Sequence, residues 1–265
     1  MNKLFIRTKD YIFMIIILLL LLFLYATFNN NSIENKNDNT YAVSTPIVST
    51  SGYWIDSGRR GSSFGGGSGT STSPYIISTA QQLAYLSYKV YNGTSYLGKY
   101  FKQTADINLS SYYWQPIGSF YNRSGISSGV ANFKGNYDGQ GYVVSGVITK
   151  AGTGNAYCHQ GFFGYVNDGT ISNVILKDSY IRGYEHVGGI AGLITSSNVI
   201  GCSYAGTVEG YIRVGGIVGN SNKGLIDQCY NEGQIKGLTH SESGTAVGGI
   251  VGRVNGSVTI SNCYN

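Results

Sequence analysis

Three histidines, four cysteines and thirteen carboxylates are the side chains of this 265-residue chain that could hold a metal or carry catalysis. His159, His186 and His240 read as scattered positions, and none stands in the HExxH spacing that sets two zinc ligands on one helical face. Cys158 beside His159 is too isolated to serve as a nucleophile–base pair. Cys202, Cys229 and Cys263 fall where Val174 also falls in a repeat, which marks the position as one for a small buried hydrophobe. Export would permit disulfides, but stacked in-register strands seldom offer the Cβ geometry one requires. Asp106, Asp138, Asp168, Asp178 and Asp227 read as unlike repeat positions. They are therefore not expected to converge as the acid–base pair of a glycosidase or as a calcium cage. GGGSG at 65–69 lacks the Lys-Ser/Thr and the strand–helix setting of a phosphate loop. The reading is a chain with no catalytic residue, no cofactor and no metal site.

Recognition chemistry is the remaining possibility. Thirteen tyrosines and both tryptophans lie between residues 51 and 160, most densely at Tyr112-Tyr113-Trp114, with Trp54 upstream. Flat aromatic rings stack on sugar faces, and tyrosine adds a hydroxyl. Trp54, Tyr112, Tyr113 and Trp114 are thus candidate ligand contacts, against the plainer alternative that they pack a cap. His240 and Glu242 are further candidates because Leu238–Gly244 reads as an insertion into a repeat. The unit from Val214 runs 33 residues to Val247, six more than its predecessor, and such insertions leave a repeat array as surface loops.

What must position these residues is the repeat itself. VGGIAG at 187–192 returns as VGGIVG at 214–219 and 247–252, with a looser QGFFG at 160–164. Ile171, Val199, Ile226 and Ile260 align, as do Ile181, Val208 and Ile235. A step of about 27 residues suits a coil of three short strands with turns. Helical repeats would not tolerate so much glycine. The fold class expected is therefore all-β, a right-handed parallel β-solenoid. Stacking would bring Arg182, Glu209 and Lys236 into an outward column of alternating sign. The glycine pairs Gly188/Gly189, Gly215/Gly216 and Gly248/Gly249 would either turn corners with positive φ or let backbones approach.

Composition agrees. The chain has 39 glycines and 23 tyrosines but only 12% charged residues, as suits an extracellular β-surface. Its net charge of +5 comes from lysines and arginines dispersed between residues 51 and 160, not a phosphate-binding track, so no nucleic-acid partner is expected. Lys3, Arg7 and Lys9 precede the uncharged run YIFMIIILLLLLFLYATF at 11–28. Residues 1–10 thus read as a cytoplasmic basic segment and 11–28 as a transmembrane anchor or signal peptide, with the rest exported. Residues 29–73 read as a flexible tether, since the Asn-rich and Gly/Ser-rich stretches cannot bury enough apolar surface. Residues 74–150 read as a cap and the first coils. There Ser78-Thr79-Ala80-Gln81 resembles a capping box, followed by a helix whose buried stripe is Leu83, Leu86 and Val90. Residues 151–265 hold the repeats, the last coil incomplete.

The ordered run PYIISTAQQLAYLS, FKQTADINLS, WQPIG, FKGNYDGQGYVVSGV and VGGIVG resembles the GLUG-repeat proteins of bacterial surfaces. It also resembles the repeat regions ahead of the catalytic domain in IgA-specific metallopeptidases. The resemblance spans about residues 74–265 and implies a β-helical, exported stalk or adhesin. The expected function is a non-enzymatic surface protein, at the cell membrane with an extracellular repeat domain, or secreted if the N-terminal segment is cleaved. Its expected partners are the membrane, through that segment, and a host-surface protein or glycan. The alternatives are a carbohydrate-binding module, or the N-terminal fragment of a surface peptidase or polysaccharide-active enzyme.

Overall fold

The computed structural model describes residues 52–121, 127–239 and 245–265. The expected basic segment, the anchor or signal segment, residues 29–51 of the tether, His240 and Glu242 lie outside them. Among the described residues no helix is long and apolar enough to cross a membrane.

The elements run β1 (Tyr75–Ile77), α1 (Ala80–Tyr91), β2 (Tyr100–Gln103), β3 (Ile107–Asn108), β4 (Ser119–Tyr121) and β5 (Ser127–Ala131). Then come β6 (Asn136–Asp138), β7 (Val143–Ser145), β8 (Phe163–Asn167), β9 (Thr170–Ser172), β10 (Ile175–Gly188) and β11 (Ala191–Ile200). Last are β12 (Ser203–Gly215), β13 (Val218–Asp227), β14 (Tyr230–Asn231), β15 (Gln234–Gly237), β16 (Val247–Gly248) and β17 (Val251–Ser261). Two parallel sheets account for most of them. One runs β1-β2-β6-β9-β11-β13-β17, with β8 also on β11. The other runs β3-β7-β10-β12, with β14, β15 and β16 on the far edge of β12. β4 and β5 form a separate antiparallel pair.

The repeat alignment is the hydrogen-bonded register. In the first sheet Tyr75, Phe101, Tyr137, Ile171, Val199, Ile226 and Ile260 stand opposite one another in turn. In the second, Ile181, Val208 and Ile235 pair, as do Arg182, Glu209 and Lys236. The step is 27 residues from Ser179 to Gly206 but 28 from Ile175 to Ser203. Asp178, at φ 49°, is the extra residue, a bulge in β10. Glu209 sits between its two cations, 3.8 Å from Arg182 and 3.6 Å from Lys236. Such partly exposed pairs favour one register more than they add stability.

The core lies between the sheets and is built of these ladders. Ile171, Val199 and Ile226 are fully buried, as are Val174, Cys202 and Cys229. The glycine pairs resolve in favour of close approach. A Cβ on Gly215 would run into the carbonyl oxygen of Val218, and one on Gly216 into that of Gly249. Positive φ falls instead on the residue two before the first two pairs, His186 (55°) and Arg213 (56°), and on His159 (56°) in the looser copy.

Helix α1 starts at Thr79, whose hydroxyl accepts from Gln82 N at 3.2 Å, while Gln82 Oε1 accepts from Ser78 N at 2.8 Å. The box is thus one residue later than the sequence reading placed it. Leu83, Leu86 and Val90 are fully buried. The tether expectation is corrected for residues 52–73. Gly65 N donates to Ile76 O, Ile76 N donates to Gly66 O, and Gly61 N donates to Gln81 O. The backbone of this Gly/Ser-rich stretch is ordered by pairing with β1 and α1, a partner that composition alone does not reveal. Trp54 and Phe64 supply apolar anchors.

Candidate functional site

The structure separates the aromatic candidates. Trp114 is fully buried and its indole N–H donates to Phe162 O at 2.9 Å. Trp54 is buried and donates to Leu109 O at 2.9 Å. Tyr112 lies edge-on to Trp54 and under the Arg59 guanidinium, 4.1 Å from its ring centre. Tyr113 forms a parallel bridge with Tyr53. Tyr53 and Trp114 do line a cleft of about 150 Å³, together with Gln115, Lys150 and Tyr157, but the Trp114 ring has no exposed surface. These residues hold the start of the folded region to the strands behind it.

A different aromatic group faces solvent. Phe64, from the Gly/Ser-rich stretch, packs 4.7 Å from Tyr75 of β1, 5.1 Å from Tyr85 of α1 and 6.0 Å from Tyr96 of the following loop. Fully buried Phe133 and almost fully buried Phe101 lie behind them. The four rings, with Ser63, Gly66 and Gly67, line a groove of about 340 Å³. Four successive segments, a loop, β1, α1 and a second loop, build it, so the density of aromatics along the chain points elsewhere. The one sequence clue was Tyr85, which stands off the buried face of α1. Tyr96 takes φ 56°, a conformation that bulky residues seldom adopt. Burial raises its phenol pKa, with the Tyr85 and Tyr75 hydroxyls adding to the effect, so it stays protonated and can donate.

The histidines are not scattered. His159 and His186 occupy one ladder position, 27 residues apart, and Arg213 follows at the next step; the interval was there to be read. His186 Nδ1 lies 3.1 Å from His159 Nε2, and Arg213 contacts both His186 Nε2 and the Glu185 carboxylate. Because guanidinium only donates, His186 Nε2 must accept, which puts its proton on Nδ1, facing His159 Nε2. Burial lowers the His159 pKa to about 4, with Arg213 assisting. Burial, His159 and Arg213 lower that of His186 to about 2. Two neutral imidazoles and an arginine paired with Glu185 form a polar ladder. Among the described residues no group of three or more His, Cys, Asp or Glu is arranged to hold a metal.

The carboxylates also need correction. Asp138 and Asp227 share a ladder position through Ser172 and Ile200. Each accepts from an asparagine just past the next strand, Asn173 at 2.9 Å and Asn262 at 2.9 Å. Three strand spacings part the two aspartates, about 14 Å, wider than either glycosidase geometry. Their role is to clasp corners: Asn173 (φ 53°) and Asn262 (φ 51°) are both left-handed.

No family model matches the chain. A 144-residue stretch, 51% of the chain, is 32% identical to a protein of Evansella cellulosilytica that bears the name Gly-rich membrane protein; the match covers 14% of that protein's length. Among solved structures, one from Bacteroides ovatus, described as an immunoglobulin A1 protease, aligns over 76% of this chain and 87% of its own. It is 17% identical with a TM-score of 0.28, too slight a likeness to carry an argument. The GLUG expectation therefore continues to rest on the order of the motifs.

Proposed function

We propose that the chain is a non-enzymatic, membrane-tethered surface protein whose folded region is a parallel β-solenoid acting as a stalk or adhesin. The observation that carries this reading is the run of in-register ladders at 27–28-residue steps in two parallel sheets. Each coil contacts its neighbours in the same way, so length is added without changing the design. The likeness to a Gly-rich membrane protein supports a membrane location. So does the apolar run at 11–28 behind a basic N-terminus. The spacing of Asp138 from Asp227 weighs against a carbohydrate-cleaving pair there.

Two experiments test it. Intact bacteria making the full chain should be labelled by a membrane-impermeant amine reagent; labelling that requires lysis would end the surface reading. A tandem copy of residues 187–213 inserted after Arg213 should give a folded protein with stronger β-sheet circular dichroism and no loss of thermal midpoint. An unfolded product would contradict the solenoid.

A further inference from the structure

We infer that the groove of Phe64, Tyr75, Tyr85 and Tyr96 is a binding site for a short neutral oligosaccharide. The inference goes beyond the stalk reading, which would stand without it.

The chemistry of the lining selects the ligand class. Four aromatic rings, the Ser63 hydroxyl and two glycines form it, and no lining residue carries a charge. A phosphate, a sulfate or an acidic sugar would find no cation there. A cationic ligand would need a box between the rings. Phe64 stands 4.7–6.0 Å from the other three ring centroids and Tyr75 stands 6.2 Å from Tyr96, the ring planes meeting at 33–72°, so the rings close on Phe64 rather than walling an empty box. The rings are not coplanar, so a ligand lies on the face of one ring and meets the others at an angle. The apolar face of a pyranose does this, and its equatorial hydroxyls then meet donors and acceptors at the rim. The three tyrosine hydroxyls and a serine hydroxyl supply both. The volume of about 340 Å³ is at the low end of the range for small-ligand sites, roughly 300–1,000 Å³.

The groove is also preformed. Phe133 and Phe101 hold the rings from behind, and the pairing of Gly65–Gly66 with Ile76 fixes the loop that brings Phe64 in. A Cβ at Gly67 (φ 82°) would collide with the Pro74 carbonyl, so glycine is needed to set that loop. Tyr96 is kept in a left-handed conformation, a strain that tends to persist where a side chain must be aimed. A rigid aromatic surface loses little entropy when a ligand lands on it.

The test is calorimetric titration of the full-length chain in detergent with cellotriose, maltotriose and lacto-N-tetraose. Phosphocholine, sialyllactose and a polyproline decamer serve as comparisons. At least one neutral sugar should bind with Kd below about 1 mM. Tyr85→Ala should weaken it about tenfold or more with unchanged circular dichroism. Tyr96→Phe keeps the ring and removes one hydroxyl, so it should cost only a few-fold and covers the case in which Tyr85→Ala disturbs the fold. No heat with any neutral sugar at about 10 mM, well above the expected Kd, would overturn the inference. So would binding unaltered by both variants, or a groove that takes phosphocholine or polyproline in preference.

Discussion

Among the described residues, the first and last strands of the stack carry the same kind of ladder and lie in different surroundings. At the first end, β1 is flanked by the Gly65–Gly66 backbone, and Leu83, Leu86 and Val90 of α1 are fully buried in the same apolar core. At the other, Ile260 of β17 is 45% exposed although its ladder mates Ile171, Val199 and Ile226 have no exposed surface. Val247 and Val254 on the same final strands are similarly open. A repeat residue is thus worth what lies on both sides of it. Identical sequence positions contribute fully in mid-stack and by roughly half at an open face.

The sharpest way to break this comparison is a pair of glycine substitutions. Gly216→Val would drive a side chain into the Gly249 carbonyl and the Asn231 amide, and should cost more than about 3 kcal/mol. Gly249→Val meets only the Asn265 side chain, which can swing away, and should cost less than about 1 kcal/mol. Equal midpoint shifts in urea would show that the ends are not different in kind.

Truncations give the next largest contrast. Leu86→Ala, under the helix, should lose about 3 kcal/mol, and Ile260→Ala no more than about 1. Comparable losses in thermal unfolding would mean that β17 is covered in solution by something that shields Ile260.

Acid should act on the middle rather than on either end. The His159 and His186 pKa values are lowered in the folded protein, so the unfolded chain binds more protons as pH falls below the ordinary value near 6.5. Stability is then full above that value and declines below it, for His159 until its folded pKa of about 4. At pH 5 the loss for His159 alone should be about 2 kcal/mol. His159→Gln should flatten the stability profile between pH 6.5 and 4; an unchanged slope would refute the ladder's role. In mid-stack Arg213 caps these rings, whereas the next ladder step offers Ala246 beside Val247. Hydrogen exchange at pH 5 should therefore quicken first around 186–189.

The smallest effect concerns the thiols. Cys202 and Cys229 are buried, and Cys202, Cys229 and Cys263 are free thiols pointing to carbonyls, Cys229 Sγ to Asp227 O at 3.2 Å and Cys263 Sγ to Ser261 O at 3.1 Å. Replacing all three by Val, the residue already present at Val174, should change stability by less than about 1.5 kcal/mol. Reductant should leave the melting temperature where it is; a clear fall would reveal a disulfide between coils.

Much of the architecture could be read from the chain because a stacked strand copies its information. Each position in β10, β11, β12 and β13 meets its own counterpart one step away, so the self-alignment of the sequence is the pairing register. The same periodicity holds His159, His186 and Arg213, a 27-residue relation that the helical spacing of a zinc motif does not reveal. Helix α1 was visible for a local reason, its capping residues and its Leu83–Leu86–Val90 stripe. What a local pattern could not show was that the Gly/Ser-rich 61–73 stretch has a partner, since its order comes from β1 and α1 and not from its own side chains.

The sequence by itself therefore determined the parallel stacking, the ladder residues and the charge column at Arg182, Glu209 and Lys236, because all of these are relations between a residue and its own repeat. Only the tertiary structure decided which aromatics are core and which are surface. Trp54 and Trp114 are as conspicuous in the sequence as any binding residue, yet their N–H groups are turned inward to Leu109 and Phe162. Phe64, Tyr75, Tyr85 and Tyr96 come from a loop, a strand, a helix and a second loop that share no period. Their meeting follows from how the cap closes over the first strands, a contact between unlike segments that no repeat encodes.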